Sequence, residues 1–395
     1  MKRREFLKHS ALVSGAVMVP SFVKSLEGMD RSHLGFKRLV IVQLSGGNDG
    51  LNTIIPYHND LYYNARPRIA ISDGIIKLDD TLGLHPSLSP LKDLYDRGYL
   101  SILNNVGYPN PVRSHFRSMD IWHTGSNSNQ YLQSGWLGRY LDIHGRNPYN
   151  AIEMDESLSL ALKGEEFSGI ATRDYKVLYK SSRDPYFRNV LEHYNDKHLS
   201  EHNLGYLYKT MIDAKSSAEY IYEKTKVKWN SPTYPQNNFA KQLRSIAQFI
   251  NSGLDTKIFY TSLSGFDTHA NQLNSQKRLL DIYASSISTF IEDLEENDTF
   301  QDTLILTFSE FGRRVKQNAA NGTDHGSANN VFVIGKDLRT PGIYNSLASL
   351  EDLDDNGDLK FEIDFRDIYA TILSKWMEAD TSKILHNTPK TLDFI

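Results

Sequence analysis

The chain has 395 residues, 39% of them hydrophobic, a formal charge of −4 and no cysteine. That length suits one large α/β domain better than two small ones. The missing cysteine excludes disulfides, thiolate catalysis and cysteine-ligated zinc, and a mildly acidic chain with no basic patch gives no support to a nucleic-acid partner.

At the N-terminus, Lys2-Arg3-Arg4-Glu5-Phe6-Leu7-Lys8 is followed by an apolar stretch from Ala11 to Val19. This order is that of a twin-arginine export signal, placed at residues 1–28, with the periplasm or cell surface as destination. The apolar stretch falls short of the roughly 20 residues that cross a bilayer, so no permanent membrane span is expected. Pro20-Ser21-Phe22-Val23 interrupts any small-x-small cleavage site, which leaves the cut position and retention as an anchor open. The twin-arginine route carries folded proteins, which is compatible with a metal loaded before export, with a folded binding protein, or with a co-exported partner protein.

Residues 36–395 read as a single domain. The apolar run Leu39-Val40-Ile41-Val42-Gln43-Leu44 stops in Ser45-Gly46-Gly47-Asn48-Asp49-Gly50, the pattern of a buried strand ending in a turn. Further strands are predicted at Tyr99–Leu103, Lys257–Thr261, Thr303–Phe308 and Val331–Ile334, and helices over Ala270–Leu294 and Asp364–Met377. Strands alternating with helices predict a mainly parallel central sheet sandwiched between helices. The stretch of about 184–252, charged, aromatic and without strand pattern, reads as a helical insertion or cap.

In open α/β sheets, ligands bind outside the carboxyl ends of the strands. Asp49, Asp267 with His269, Glu310, and His325 all fall at predicted strand ends or in the adjoining loop. Singly each has an ordinary explanation: Asp49 as a turn residue, Asp267 as a helix cap, Glu310 as the ion-pair partner of Arg313 or Arg314, His325 as part of a loop turn. Together, carboxylates and imidazoles along one sheet edge form a ligand set for a divalent metal ion of the zinc, manganese or iron type. After the second strand, Arg113-Ser114-His115 leads into a helix. Ser114 is there either an N-cap or a nucleophile, with Arg113 or Arg117 available to an anion and His115 as an alternative ligand or general base.

The order of Leu44-Ser45-Gly46-Gly47-Asn48-Asp49-Gly50-Leu51-Asn52, Arg113-Ser114-His115-Phe116, Ser134-Gly135-Trp136-Leu137-Gly138-Arg139, Phe266-Asp267-Thr268-His269, Ser309-Glu310-Phe311-Gly312-Arg313 and Gly322-Thr323-Asp324-His325-Gly326 resembles the bacterial domain of unknown function 1501 family. That family in turn resembles the alkaline phosphatase and sulfatase superfamily. The resemblance implies an alkaline phosphatase-like fold, Asp49, Asp267, His269, Glu310 and His325 as metal ligands, and Ser114 as nucleophile. Phe311 departs from the pattern: a two-metal phosphatase would place a histidine there, so a single-metal or metal-free site is implied.

Two functions follow as expectations. One is an exported, metal-assisted hydrolase of phosphate or sulfate esters, acting on an anionic ester or a sulfated or phosphorylated glycan, with Ser114 or a metal-bound water as nucleophile. The other is a non-catalytic periplasmic or surface binding protein on a degenerate phosphatase-like fold.

Overall fold

In the computed structural model, which describes residues 36–192, 203–386 and 389–395, the first apolar run becomes β1 (Arg38–Ser45). Its side chains alternate between two cores, Val40, Val42 and Leu44 entering one and Leu39 and Ile41 the other. A strand buried on both faces has to be central. The signal assigned to residues 1–28 lies outside the described residues.

The chain continues through β2 (Ile54–Ile55), α1 (Asp60–Ala65), β3 (Ile76–Lys77), β4 (Gly83–Leu84), α2 (Ser89–Asp96), β5 (Leu100–Gly107), α3 (His115–Thr124) and α4 (Trp136–His144). Next come β6 (Ala151–Glu153), β7 (Ile170–Ala171), α5 (Tyr175–Ser182), α6 (Pro185–Glu192), α7 (Asn203–Lys224) and α8 (Asn238–Asn251). The last part holds β8 (Ile258–Ser264), α9 (Gln272–Glu296), β9 (Thr303–Phe308), β10 (Asn329–Ile334), β11 (Gly342–Ile343), β12 (Ile363–Asp364) and α10 (Phe365–Thr371).

Among the described residues these strands form a nine-stranded sheet, ordered β11-β5-β10-β9-β1-β8-β6-β7 with β12 also on β5, and a small antiparallel sheet β2-β4-β3. Every pairing in the large sheet is parallel except those of β10, which runs against both β5 and β9. Residues 309–328, which join β9 to β10, contain no helix. A parallel return needs a crossover, usually helical, so this connection brings the chain back antiparallel. The helix expected over Asp364–Met377 is divided, with α10 passing into a π-helical turn at Ile372–Trp376.

One face of the sheet is covered by α8 and α9, through residues such as Leu243, Ile246, Tyr283 and Phe290. The segment 184–252 therefore ends in a helix of the main layer. The other face is covered by α3, α4 and α10, where Trp122 stacks between Phe308 (4.6 Å between centroids) and Phe365 (4.4 Å). Burying rings of this size contributes about 2–3 kcal/mol each, and Phe308 is the last residue of β9, so this packing also fixes where Ser309 and Glu310 emerge.

Glu153, the last residue of β6, is a buried carboxyl with one hydrogen bond to it, from the Ser159 backbone N–H (2.6 Å). Burial pushes its pKa up from 4.5 to about 7. Between those values the folded protein holds a proton that the unfolded chain has released, so stability falls as pH rises from about 4.5 and levels off above about 7. Glu153→Gln is expected to remove that slope, matching the parent near pH 4 and exceeding it by about 1–3 kcal/mol at pH 8. Urea unfolding across this range reads the difference; identical pH profiles would reject it.

Candidate metal centre

Parallel neighbours end at the same edge. Ser45 stands opposite Ser264 and Gln43 opposite Phe308, so Asp49, Asp267 and Glu310 follow strands that stop together. The strand β5 runs the same way and leads to Ser114 and His115 at the start of α3, whereas β10 runs the opposite way and is entered from this edge by Asp324 and His325. The turn after β1 passes very close to the turn after β8: a Cβ on Gly46, at φ +117°, would lie 2.4 Å from the Asp267 nitrogen. Only glycine permits both the approach and the angle.

Arg313 ties these turns together from inside. Its buried guanidinium donates to the carbonyls of Gly47 (2.6 Å), Thr323 (2.8 Å), Phe266 (3.0 Å) and Gly46, and to Asp267 Oδ1 (2.7 Å). The same Oδ1 lies 3.0 Å from His269 Nε2, 3.2 Å from His325 Nε2 and 3.4 Å from His115 Nε2. Burial favours the neutral acid at Asp267, but the hydrogen bonds from Arg313 and His325 outweigh it and hold the carboxyl down at about 2.

Each imidazole is fixed from behind. His115 Nδ1 faces Glu310 Oε1 (2.8 Å), His325 Nδ1 faces the Arg113 carbonyl (2.8 Å) and His269 Nδ1 faces Asp324 Oδ1 (3.3 Å). Carboxylates and carbonyls only accept, so a neutral ring with its proton on Nδ1 would turn the Nε2 lone pair inward, the tautomer that metal ligation requires. Hydrogen positions follow from the partners chosen. In that tautomer His269 Nε2 and His325 Nε2 would meet lone pair to lone pair at 2.9 Å, beside a carboxylate oxygen, while His115 Nε2 is buried and makes no hydrogen bond among the described residues. Such an arrangement calls for positive charge between the rings, a shared cation or a proton on Nε2. His115, Asp267 and His325 present ligand atoms all within 4.8 Å of one another, with His269 Nε2 3.0 Å from Asp267 Oδ1, and imidazole nitrogens with a carboxylate oxygen suit a divalent ion of the zinc type. The donor set fits the ion. Glu310's hydrogen bond, the largest influence, raises the His115 pKa above its ordinary 6.5.

The expected ligand set of Asp49, Asp267, His269, Glu310 and His325 divides. Asp267, His269 and His325 converge with His115. Glu310 is fully buried and accepts from the Gly46 N–H (2.8 Å) and His115 Nδ1, so it supports a ring. Asp49 is occupied elsewhere: Oδ2 is paired with the buried Arg66 (2.6 Å) and receives a hydrogen bond from Gln272, and Oδ1 has no hydrogen-bond partner among the described residues. The Arg113 side chain is held by Asp358 (2.8 Å) and Asp354 (3.2 Å), so it offers the site its carbonyl. Arg117 donates to the carbonyl of Ser128 (3.0 Å) and lies over the ring of Tyr131. Ser114 is the exposed N-cap of α3, and its side chain makes no capping hydrogen bond. Phe311 is buried against His115 and His325, at 4.8 and 4.7 Å between centroids, and forms an apolar wall for both rings.

The family described as "Protein of unknown function (DUF1501)" matches residues 36–388. The chain belongs to this family. No curated protein matches it. Among solved structures, this DUF1501 chain is similar to the PsFucS1 sulfatase from Pseudoalteromonas sp., with 10% identity, TM-score 0.38 and coverage of 95% of this chain and 74% of that one. It is also similar to the phosphonate monoester hydrolase SpPMH from Silicibacter pomeroyi, with 10% identity, TM-score 0.37 and coverage of 89% and 77%. A third is a protein in the alkaline phosphatase superfamily from Vibrio parahaemolyticus, with 11% identity, TM-score 0.38 and coverage of 86% and 66%.

Arg313 and Asp324 are the participants that the residue pattern did not single out. A signal for Asp324 was present in its position beside His325, and Arg313 closes the Ser309-Glu310-Phe311-Gly312-Arg313 motif, but the pattern gave neither a role. The structure gives each one. Arg313→Met is expected to destabilise the DUF1501 protein by about 3–5 kcal/mol, because it leaves carbonyls buried without a donor and Asp267 without its cation. Arg314→Met, at a side chain 41% exposed and 3.8 Å from Asp358, which Arg113 also holds, is expected to cost about 1 kcal/mol or less. Denaturant midpoints of the two variants check this, and equal shifts would contradict the role given to Arg313.

Proposed function

We propose that this DUF1501 protein is an exported, metal-assisted hydrolase of phosphate or sulfate esters. The observation that supports the reading most strongly is the convergence of three Nε2 atoms on Asp267 Oδ1, each ring held by an acceptor at Nδ1. His115, His269, His325 and Asp267 would hold a divalent ion, which would supply Lewis acidity to an oxygen nucleophile and to the charged ester. The rest is the work of the chain. Ser114 offers an exposed hydroxyl next to His115, and the first backbone N–H groups of the ten-residue α3 favour an anion at that end. Glu310, Asp324 and the Arg113 carbonyl keep the three rings in the binding tautomer, and Phe311 keeps two of them from turning. Export by the twin-arginine route rests on Lys2-Arg3-Arg4-Glu5-Phe6-Leu7-Lys8 and Ala11 to Val19. No described helix is long and apolar enough to cross a membrane.

A second reading, a non-catalytic recognition protein, is favoured by one observation: Asp49 is closed off by Arg66 rather than turned toward the cluster.

Metal analysis of the purified chain, together with turnover of aryl phosphate and aryl sulfate esters, separates the readings. The hydrolase is expected to hold one divalent ion per chain and to lose it in His269→Ala/His325→Ala. Ser114→Ala should keep the ion and the fold while turnover falls by about a thousandfold or more. Active protein without metal would sink the mechanism, and metal-loaded protein without turnover would favour the recognition reading.

A further inference from the structure

On the side of β8, β6 and α5 lies a cleft of about 1090 Å³, slightly above the range that small-ligand sites occupy. It is lined by residues of the α5 start, α8, the end of β8 and the first turns of α9. Its charges are unevenly matched. Of its two acids, Asp155 pairs with Arg173 (3.1 Å) and Asp174 caps α5 by accepting from the Lys176 N–H (2.8 Å). Lys176, Lys241, Arg244 and Arg278 also line the cleft, all exposed, and among the described residues none of them pairs with a carboxylate. Five cations against two carboxylates leave a net charge of +3 in one concavity of a chain whose formal charge is −4, which raises the local concentration of an anion there. Trp229, half-buried, adds a ring to the same wall.

We propose that this cleft binds the flanking units of an anionic saccharide, sulfated or phosphorylated, whose ester group is presented to Asp267 and its three histidines. This rests on the hydrolase reading and names its substrate class. Ser264 lines the cleft, and Asp267 follows three residues later, within about 11 Å along an extended chain. A polymer lying in the cleft can therefore place its next unit at the cluster. Spaced cations recognise the charged substituents, and an indole face suits a sugar ring. A nucleic acid is served less well, since one tryptophan does not stack a run of bases.

The test is calorimetric binding of the full chain to a sulfated hexasaccharide, to the same hexasaccharide desulfated, and to a single-stranded oligonucleotide of equal charge. The sulfated sugar is expected to bind most tightly and to weaken with added salt. In Lys241→Ala/Arg244→Ala/Arg278→Ala the affinity should fall about tenfold or more, with the melting temperature of the parent retained. Binding indifferent to sulfation, or unchanged in the triple variant, overturns the proposal, as does tighter binding of the oligonucleotide. Charge-dependent sugar binding with no turnover upholds the cleft and counts against the hydrolase reading alone.

Discussion

One buried guanidinium holds the functional edge of this protein together. Arg313 reaches carbonyls in the turn after β1, the turn after β8 and the loop before β10, and then Asp267 itself. The Phe266 carbonyl also accepts from the Thr268 N–H (2.8 Å), whereas those of Gly46, Gly47 and Thr323 depend on the guanidinium. Removing a guanidinium from water is costly, and here the cost is offset by a full set of acceptors, one of them charged. The same contact that closes the turns also fixes Asp267 as an anion at the point where three histidines meet. Fold stability and site chemistry thus share one residue.

The close approach of the turns sets the other requirements. Gly46 has no side chain because the Asp267 backbone occupies the place of its Cβ, and Gly47 leaves room for the Phe311 ring, which a Cβ would meet at 2.4 Å. That ring then braces His115 and His325. Where the residue pattern suggested a lost ligand, the structure has a wall that positions two others.

The sheet was legible because long apolar runs ended in Gly, Asn and Asp, and a run such as Leu39–Leu44 has few other uses. Strands of two or three residues, such as β7, β11 and β12, were too short to register as runs. The direction of β10 was not readable from its own residues, since Val331–Ile334 would serve a parallel strand equally well; the helix-free connection before it was the available signal. At the site, the residue types were legible and their division of labour was not. Asp49 and Asp267 both follow a strand in a glycine turn, and what separates them is a distant partner: Arg66 closes one, while the other meets Arg313 and three imidazoles. Glu310 and Asp267 are both strand-end carboxylates, yet one faces Nδ1 of a ring and the other faces Nε2, a difference that no local sequence encodes.

Formal charge separates the buried Asp49 from the half-exposed cluster. Asp49 and Arg66 neutralise each other in a site of their own. Around the cluster, Asp267, Glu310 and Asp324 face the buried Arg313 and three imidazoles, and Arg314 also acts on Asp324. Acids outnumber guanidiniums there, so the cluster favours added positive charge, which protonated rings or a divalent ion would supply. Protons on both His269 Nε2 and His325 Nε2 would face each other across 2.9 Å, and the proposed ion would relieve that pair without a second proton.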